Sequence, residues 1–361
     1  MSDLKARCSI DLSYPYHGET AALDRLAALR SFVDAEGCVA EGYLVGDLIE
    51  KLERDVADLL GKEAAMWCPT GTMAQGIAIR LYAQDRDQKR FLAHPTSHLL
   101  LHEQEGYAEL HGLEAITIGS WHDYYHPDDL RNDACCALLE LPQRHNGGQL
   151  PDWEDLLAIK ERATSLNLPL HMDGARLWSC RPHYDNRSYA EITEGFSSVY
   201  VSFYKDIGAL GGSMLAADIA FIQRARRCRD QMGGLLASHW PFVADTARLL
   251  PDRLARMEDY VLATQSLVSA LRENGVRDLD PVIAHTNMFH LKLPIPEESA
   301  LLCRDEIARD HSVWLANRFW GVLDEDGCRL EIVVGETLLN APQDQIVNAV
   351  CSFMSSITQS A

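Results

Sequence analysis

The chain is predicted to be an α/β protein, with a large domain on a mostly parallel sheet and a small C-terminal α+β domain. Two observations predict it. Short apolar runs alternate with longer helical patterns over most of the chain, the rhythm of βαβ units. Near Pro251 the character changes, and the remaining residues read as helix, strand, helix, strand, helix. The large domain is therefore placed at 1–250 and the small one at 251–361, with the N-terminal segment able to pack on the small domain.

The elements follow in order. Leu48–Leu60 reads as an amphipathic helix stopped by Gly61. Ala64–Cys68 is a short apolar run that leads through Pro69-Thr70-Gly71-Thr72 into a second helical stretch, Met73–Tyr82. Ala115–Gly119 and Ala134–Leu141 read as strands. Asp152 is placed to cap a helix that runs through Ser165, with Glu154 and Asp155 suiting its positive N-terminal end. Leu168–Met172 is a strand ending at Asp173, and Ser198–Phe203 is another, ending just before Lys205. A charged helical region runs from Ile219 to Arg229. Beyond Pro251 come a helix over Arg253–Asn274, a strand over His285–Leu293, a helix over Pro296–His311, a strand over Arg329–Val334 and a closing helix over Gln343–Thr358.

Composition narrows the function. With 361 residues, 47% of them hydrophobic, the chain can bury a large core. A net charge of −20 disfavours nucleic acid and anionic membranes as partners. No uncharged apolar run is long enough to span a bilayer, and the charged stretch Met1–Asp11 lacks the apolar centre of a signal peptide. The ten cysteines are scattered, with Cys135-Cys136 the one adjacent pair, and no group has zinc spacing. No metal site is expected, and free thiols point to a cytoplasmic location.

Three features carry the chemistry, each at the end of a strand, where open α/β sheets bind their ligands. The turn Thr70-Gly71-Thr72 offers a close backbone approach, a hydroxyl and the amides of a helix N-terminus, which suit a phosphate; an ordinary helix cap is the alternative. His171-Met172-Asp173-Gly174-Ala175-Arg176 delivers a carboxylate that can pair with a protonated ring nitrogen, or simply cap a helix. Ser202-Phe203-Tyr204-Lys205-Asp206 precedes the glycine-rich stretch Gly208–Ser213 and sets a lysine where desolvation can make it a Schiff-base nucleophile. None of the other lysines (Lys5, Lys51, Lys62, Lys89, Lys160 and Lys292) has such a setting. The order is phosphate turn, strand-borne aspartate, then strand-borne lysine about thirty residues later. That order matches the large aminotransferase-like fold (fold type I) of enzymes that use pyridoxal 5′-phosphate (PLP).

From about Tyr43 to the C-terminus the chain resembles the threonine aldolase and β-eliminating lyase family of PLP enzymes. Gly61-Lys62-Glu63-Ala64-Ala65 followed by Thr70-Gly71-Thr72-Met73 is similar to that family's phosphate segment. Ser97-His98 resembles its ring-stacking histidine, with Glu103 downstream, and 171–176 its H-[IM]-D-G-A-R signature. Lys205 falls at the Schiff-base position, and Cys328-Arg329-Leu330 at the arginine that grips the substrate carboxylate. The resemblance implies that Gly71, Thr72 and Ser202 hold the phosphate, His98 stacks on the pyridine ring and Asp173 pairs with its nitrogen. It also implies that Arg176 lies near the ring oxygen and the substrate carboxylate, with Arg329 binding that carboxylate. Family members are homo-oligomers, dimers or tetramers with shared active sites. Tyr43 either reaches a neighbouring subunit's site or is a core tyrosine.

The sequence departs from the family in places. Where the family has D-L-R-S-D-T, this chain has Asp11-Leu12-Ser13-Tyr14-Pro15-Tyr16, so Tyr14 takes the place of a serine that helps bind the substrate carboxylate. Glu140-Leu141-Pro142-Gln143 replaces E-N-T-H, leaving Gln143 where a histidine handles the β-hydroxyl; His145 either substitutes for it or is an exposed loop residue. Asp206 stands where a small residue is expected. The implied reaction is cleavage of a small-molecule substrate, a β-hydroxy-α-amino acid, into glycine and an aldehyde. The substrate is threonine or one with a bulkier side chain such as phenylserine. The base is His98, His145 or a bound water, with Glu103 able to orient it. Alternatives are β-elimination, racemisation or transaldol transfer on the same cofactor, or a non-catalytic PLP-binding protein. Trp67, Trp121, Trp178 and Trp240 either line a pocket or pack in the core.

Overall fold

Every residue of Ala137–Glu140, Leu170–Gly174 and Ser198–Ser202 is buried, the polar His171, Asp173, Ser198 and Ser202 among them. Strands buried this completely are covered on both faces, as in a sheet flanked by helices. The computed structural model describes residues 2–13, 16–17, 22–40, 42–321 and 327–360. The large sheet has seven strands: β1 (Ala64–Cys68), β2 (Arg90–Ala93), β3 (Glu114–Thr117), β4 (Ala137–Glu140), β5 (Leu170–Gly174), β6 (Ser198–Ser202) and β7 (Ser213–Ala217). Their spatial order is β1-β7-β6-β5-β4-β2-β3. Every pairing is parallel except those of β7, which runs antiparallel to both β1 and β6. The C-terminal ends of β1, β2, β4, β5 and β6 therefore share one edge.

The helices of this unit are α1 (Ala22–Glu36), of which only Leu29 is buried, α2 (Asp47–Leu59), α3 (Gly71–Arg86), α4 (Trp153–Ser165) and α5 (Ile219–Gln231). Helix α3 begins at Thr70, whose hydroxyl accepts the Met73 N–H at 3.2 Å, and stops at Asp87 in the left-handed conformation (φ 47°). It presses Ala74, Ile77, Ala78 and Leu81 into a core shared with Met66, Phe91, Leu138, Tyr200 and Leu215. Asp152 holds the N-cap position of α4 but makes no side-chain cap bond, so its contribution there is charge alone.

Two compact units are present: Ala21–Gln143 with Leu150–Ala255, and Met1–Thr20 with Arg144–Gln149 and Arg256–Ala361. The second carries a sheet of β8 (Leu279–Asp280), β9 (Met288–Leu293), β10 (Trp320–Gly321) and β11 (Cys328–Val333), antiparallel throughout in the order β10-β11-β9-β8. It also carries the helices Glu297–His311 and Gln343–Ser360, packed on each other, and a parallel bridge from Ile10–Asp11 to Val313–Trp314.

Three differences from the sequence reading stand out. The helix expected to start at Arg253 starts earlier: Trp240–Glu273 is one helix (α6) with Pro251 inside it. Losing one backbone donor costs about 3 kcal/mol, which the burial of Val243, Ala244, Leu250, Met257, Tyr260 and Val261 along the helix offsets. Strand β7 is a run of five small and apolar residues directly after glycines, which read as the continuation of the glycine-rich stretch Gly208–Ser213. Helix α1 and strand β2 also went unassigned. Among the described residues no helix is long and apolar enough to cross a membrane, no His/Cys/Asp/Glu group can hold a metal ion, and no disulfide joins the ten cysteines.

Candidate active site

Strand β1 hands over to α3 through the turn at Thr70. The Thr70 side chain satisfies the Met73 amide, which leaves the amides of Gly71 and Thr72, in the unpaired first turn of the helix, to face an anion. Gly71 is glycine for a reason the sequence did not reveal. A Cβ there would lie 2.0 Å from the Tyr200 hydroxyl and 2.3 Å from its Cζ, so the phenol of Tyr200 fills the side-chain space under the helix start. Two residues along β6, Ser202 is fully buried, and its hydroxyl has no hydrogen-bond partner. An orphaned buried hydroxyl at the same edge as two helix-start amides is what a phosphate-bearing ligand would satisfy.

Asp173 is the penultimate residue of β5 and is 1% exposed. One carboxylate oxygen accepts the Ala175 N–H at 3.1 Å, and the other accepts Nε2 of Gln75 at 3.0 Å. Gln75 lies on the buried face of α3. It was missed in the sequence, although a glutamine within an apolar helical stripe was the available signal. Two residues before Asp173, and so on the same face of the strand, His171 meets the Ser198 hydroxyl at 2.7 Å, and Tyr82 donates to that same hydroxyl at 2.8 Å. Burial lowers the His171 pKa from about 6.5 to about 4, against a weaker opposing pull from Asp173, so this imidazole is neutral at neutral pH.

Lys205 follows β6 on the same edge and is partly buried, its Nζ 5.7 Å from the ring centroid of Tyr204. The Tyr204 and Tyr200 hydroxyls are hydrogen-bonded to each other. Burial pushes both phenols above their usual range, and the charges of Asp173 and Glu103 act on both in the same direction. Phe203 is stacked between Trp67 and Trp178, at 5.6 and 6.2 Å between ring centroids, and the Trp178 Nε1–H donates to the Ser202 carbonyl at 2.9 Å. Both tryptophans are fully buried, so they brace the strand that carries Lys205; Trp121 and Trp240 are partly exposed. Arg176 and Asp206 are both buried at this end of the unit.

Beyond β2, His98 opens a short helix and its Nδ1 lies 2.9 Å from Glu103 Oε1. The Glu103 side chain is 3% exposed and that of His98 33%, so a buried carboxylate holds a half-open imidazole. Gln143 is buried three residues past the end of β4. Asp173 and Ser202 thus lie at the C-terminal ends of their strands, and Gly71, Thr72, His98, Glu103, Arg176 and Lys205 follow strands that end at the same edge.

Arg329 and His145 belong to the other unit, where they meet: Arg329 donates to the His145 carbonyl at 2.9 Å and lies 3.3 Å from Asp280. Tyr14 lies outside the described residues. Tyr43 is not a core residue, being 60% exposed, and its N–H donates to the Ala237 carbonyl at 3.2 Å.

Residues 41–294 match the beta-eliminating lyase family. The chain is 29% identical over 262 residues to the low specificity L-threonine aldolase of Escherichia coli K12, covering 70% of this chain and 76% of that protein. It is 27% identical over 263 residues to a probable low-specificity L-threonine aldolase 2 of Arabidopsis thaliana, covering 68% and 72%. Its fold superposes on a crystal structure from Listeria monocytogenes EGD-E, provisionally assigned as an L-allo-threonine aldolase. The TM-score is 0.88 and the identity 30%, over 98% of this chain and 99% of that one. The strand order, the turn-aspartate-lysine arrangement and these likenesses agree: the chain belongs to the threonine aldolase and beta-eliminating lyase family of enzymes.

Proposed function

We propose that the protein is a PLP-dependent aldehyde-lyase that cleaves a β-hydroxy-α-amino acid between Cα and Cβ, releasing glycine and an aldehyde. The observation that carries this reading is the convergence of the Gly71–Thr72 turn, Asp173 and Lys205 at one sheet edge. The residues present fit PLP: the orphaned Ser202 hydroxyl and the two helix-start amides suit its phosphate, and the Asp173 carboxylate suits its ring nitrogen. When bound, the cofactor supplies an electron sink for the charge released at Cα.

The chain's own residues do the rest. Lys205 is the amine that carries the cofactor. Asp173, fixed by Gln75 and the Ala175 amide, keeps a proton on the ring nitrogen. His98 would stack on the ring of the bound cofactor; its Nδ1–H is held by Glu103, which leaves Nε2 to take the β-hydroxyl proton. Arg176 on this edge is a candidate for the substrate carboxylate, where a guanidinium fork binds two oxygens at once, and the family resemblance names Arg329 as another. By the family resemblance Tyr14 is a further candidate for the substrate carboxylate and His145 a second candidate for the β-hydroxyl proton. We further propose a cytoplasmic homo-oligomer, supported by the exposed apolar residues Val39, Tyr43, Val45, Leu235 and Leu236 on one unit; Tyr43 would reach the neighbouring site. The buried amide of Gln143, where the family has a histidine, favours a second reading in which the same edge catalyses β-elimination.

Product analysis on the PLP-loaded protein decides between them. L-Threonine converted to glycine and acetaldehyde supports the lyase; 2-oxobutanoate and ammonia support β-elimination. Absence of either product from threonine and phenylserine refutes both. Lys205→Ala should abolish turnover and the visible absorbance of the bound cofactor, and a variant that retains turnover would remove the lysine from its role.

A further inference from the structure

Tyr200 and Tyr204 lie at the same edge and have no part in the reading above. Tyr200 is in register with Asp173 on the adjacent strand. Its hydroxyl reaches the start of α3, 2.0 Å from where a Gly71 side chain would begin. Tyr204 immediately precedes Lys205, and its ring lies 5.7 Å from the lysine Nζ. The two hydroxyls are bonded to each other, and Asp173 and Glu103 are close enough to act electrostatically on both; Arg176 acts on Tyr204. Tyr200 is 2% exposed, whereas Tyr204 is partly exposed. Tyr204 is therefore the member of the pair that a ligand can meet. Tyr200, clamped between the sheet and the helix start, is the member that cannot move. A bond between two hydroxyls consumes one of their two protons, so a fixed Tyr200 dictates where the Tyr204 hydroxyl points.

We propose that Tyr204 binds the phosphate-bearing end of PLP through its hydroxyl, and that Tyr200 is a positioning residue acting through Tyr204. This rests on the reading that the edge binds PLP. The location decides which end of the cofactor is involved. Tyr200 abuts the glycine of the phosphate turn, and Ser202, with its orphaned hydroxyl, lies on the same face of the same strand.

The test is PLP affinity of the full-length apo-protein, read by equilibrium dialysis. Tyr204→Phe keeps the ring and removes one hydrogen bond to a charged group, so PLP should bind about ten- to a hundredfold more weakly. Tyr200→Phe should also weaken binding, and the double variant should bind no more weakly than Tyr204→Phe alone. A purely structural role for Tyr200 would instead give additive losses, which overturns the positioning assignment. Pyridoxal, which lacks the phosphate, should bind the wild type and Tyr204→Phe alike; an equal loss for pyridoxal overturns the phosphate assignment. If both single variants bind PLP like the wild type, the whole proposal falls. If the wild type itself does not bind PLP, it is the underlying cofactor reading that fails.

Discussion

Gly71→Ala tests why the phosphate turn carries a glycine. The added Cβ would sit 2.0 Å from the Tyr200 hydroxyl, 2.3 Å from Cζ and 2.8 Å from Cε2. Non-bonded carbons rest at about 3.5 Å or more, so either the phenol or the start of α3 must give way by more than about 1 Å. Neither does so cheaply. Tyr200 is 2% exposed on a strand whose every residue is buried, and α3 is packed along the core. Overpacking of this kind costs about 1–3 kcal/mol. With a rigid group on both sides, a loss of about 3 kcal/mol is expected, and the better helix propensity of alanine returns no more than about 1 kcal/mol. The assay is urea unfolding of the apo-protein, read as a fall in midpoint at constant slope. A glycine kept solely so that a phosphate can approach would cost nothing when replaced in the absence of that phosphate. An apo-protein variant within about 0.5 kcal/mol of the wild type, the usual range for a neutral substitution, would therefore refute the Tyr200 packing argument. In Gly71→Ala/Tyr200→Leu, where the obstructing hydroxyl is gone, the two losses should be less than additive.

Stability should also depend on pH through His171. Its pKa of about 4 in the folded protein lies below the unfolded value near 6.5, so the unfolded chain takes up a proton first as the pH falls. Stability is complete above about pH 6.5 and falls by up to roughly 3 kcal/mol by pH 4. His171→Gln should flatten that slope in urea titrations at pH 7 and 4.5; an unchanged slope would show that other groups set it. Glu331→Ala should destabilise the smaller unit by about 2–4 kcal/mol, because Glu331 accepts both Nε and Nη2 of Arg144 at 2.7 and 3.1 Å and faces His290 at 3.5 Å. A melting curve like that of the wild type would contradict this. Glu103→Gln should lower kcat about tenfold while PLP affinity holds, since it weakens the hold on His98 rather than removing a cofactor contact. Equal loss in both would place Glu103 in cofactor binding instead.

Much of the site was legible because its residues sit where one element becomes another. Asp173 and Lys205 each come at or just after the C-terminal end of a short strand, and Thr70-Gly71-Thr72 separates such a strand from a helix, so glycine and polar residues punctuate the elements and stand out. Where the signal depended on a partner far away in the chain, it was lost. Gln75 looked like any polar residue in a helix until α3 was laid on β5. The start of α6 was placed after Pro251, where proline opposes helix locally; six buried side chains along α6 outweigh it. Strand β7 has no alternation to detect, being small, short and covered on both faces.

By itself the sequence determined the α/β class, the order of the chemical groups along the chain and the family they resemble. These follow from local periodicity and from residue types whose chemistry does not depend on context. The tertiary structure alone decided which groups are paired. It put Gln75 and the Ala175 amide on Asp173, Glu103 on His98, and the Tyr200 phenol in the space a side chain at position 71 would need. It also joined Tyr200 to Tyr204, and it engaged Arg329 with His145 and Asp280. Such pairings arise from the register of parallel strands and the seating of helices on them, and both are set by how the whole core packs rather than by any one segment.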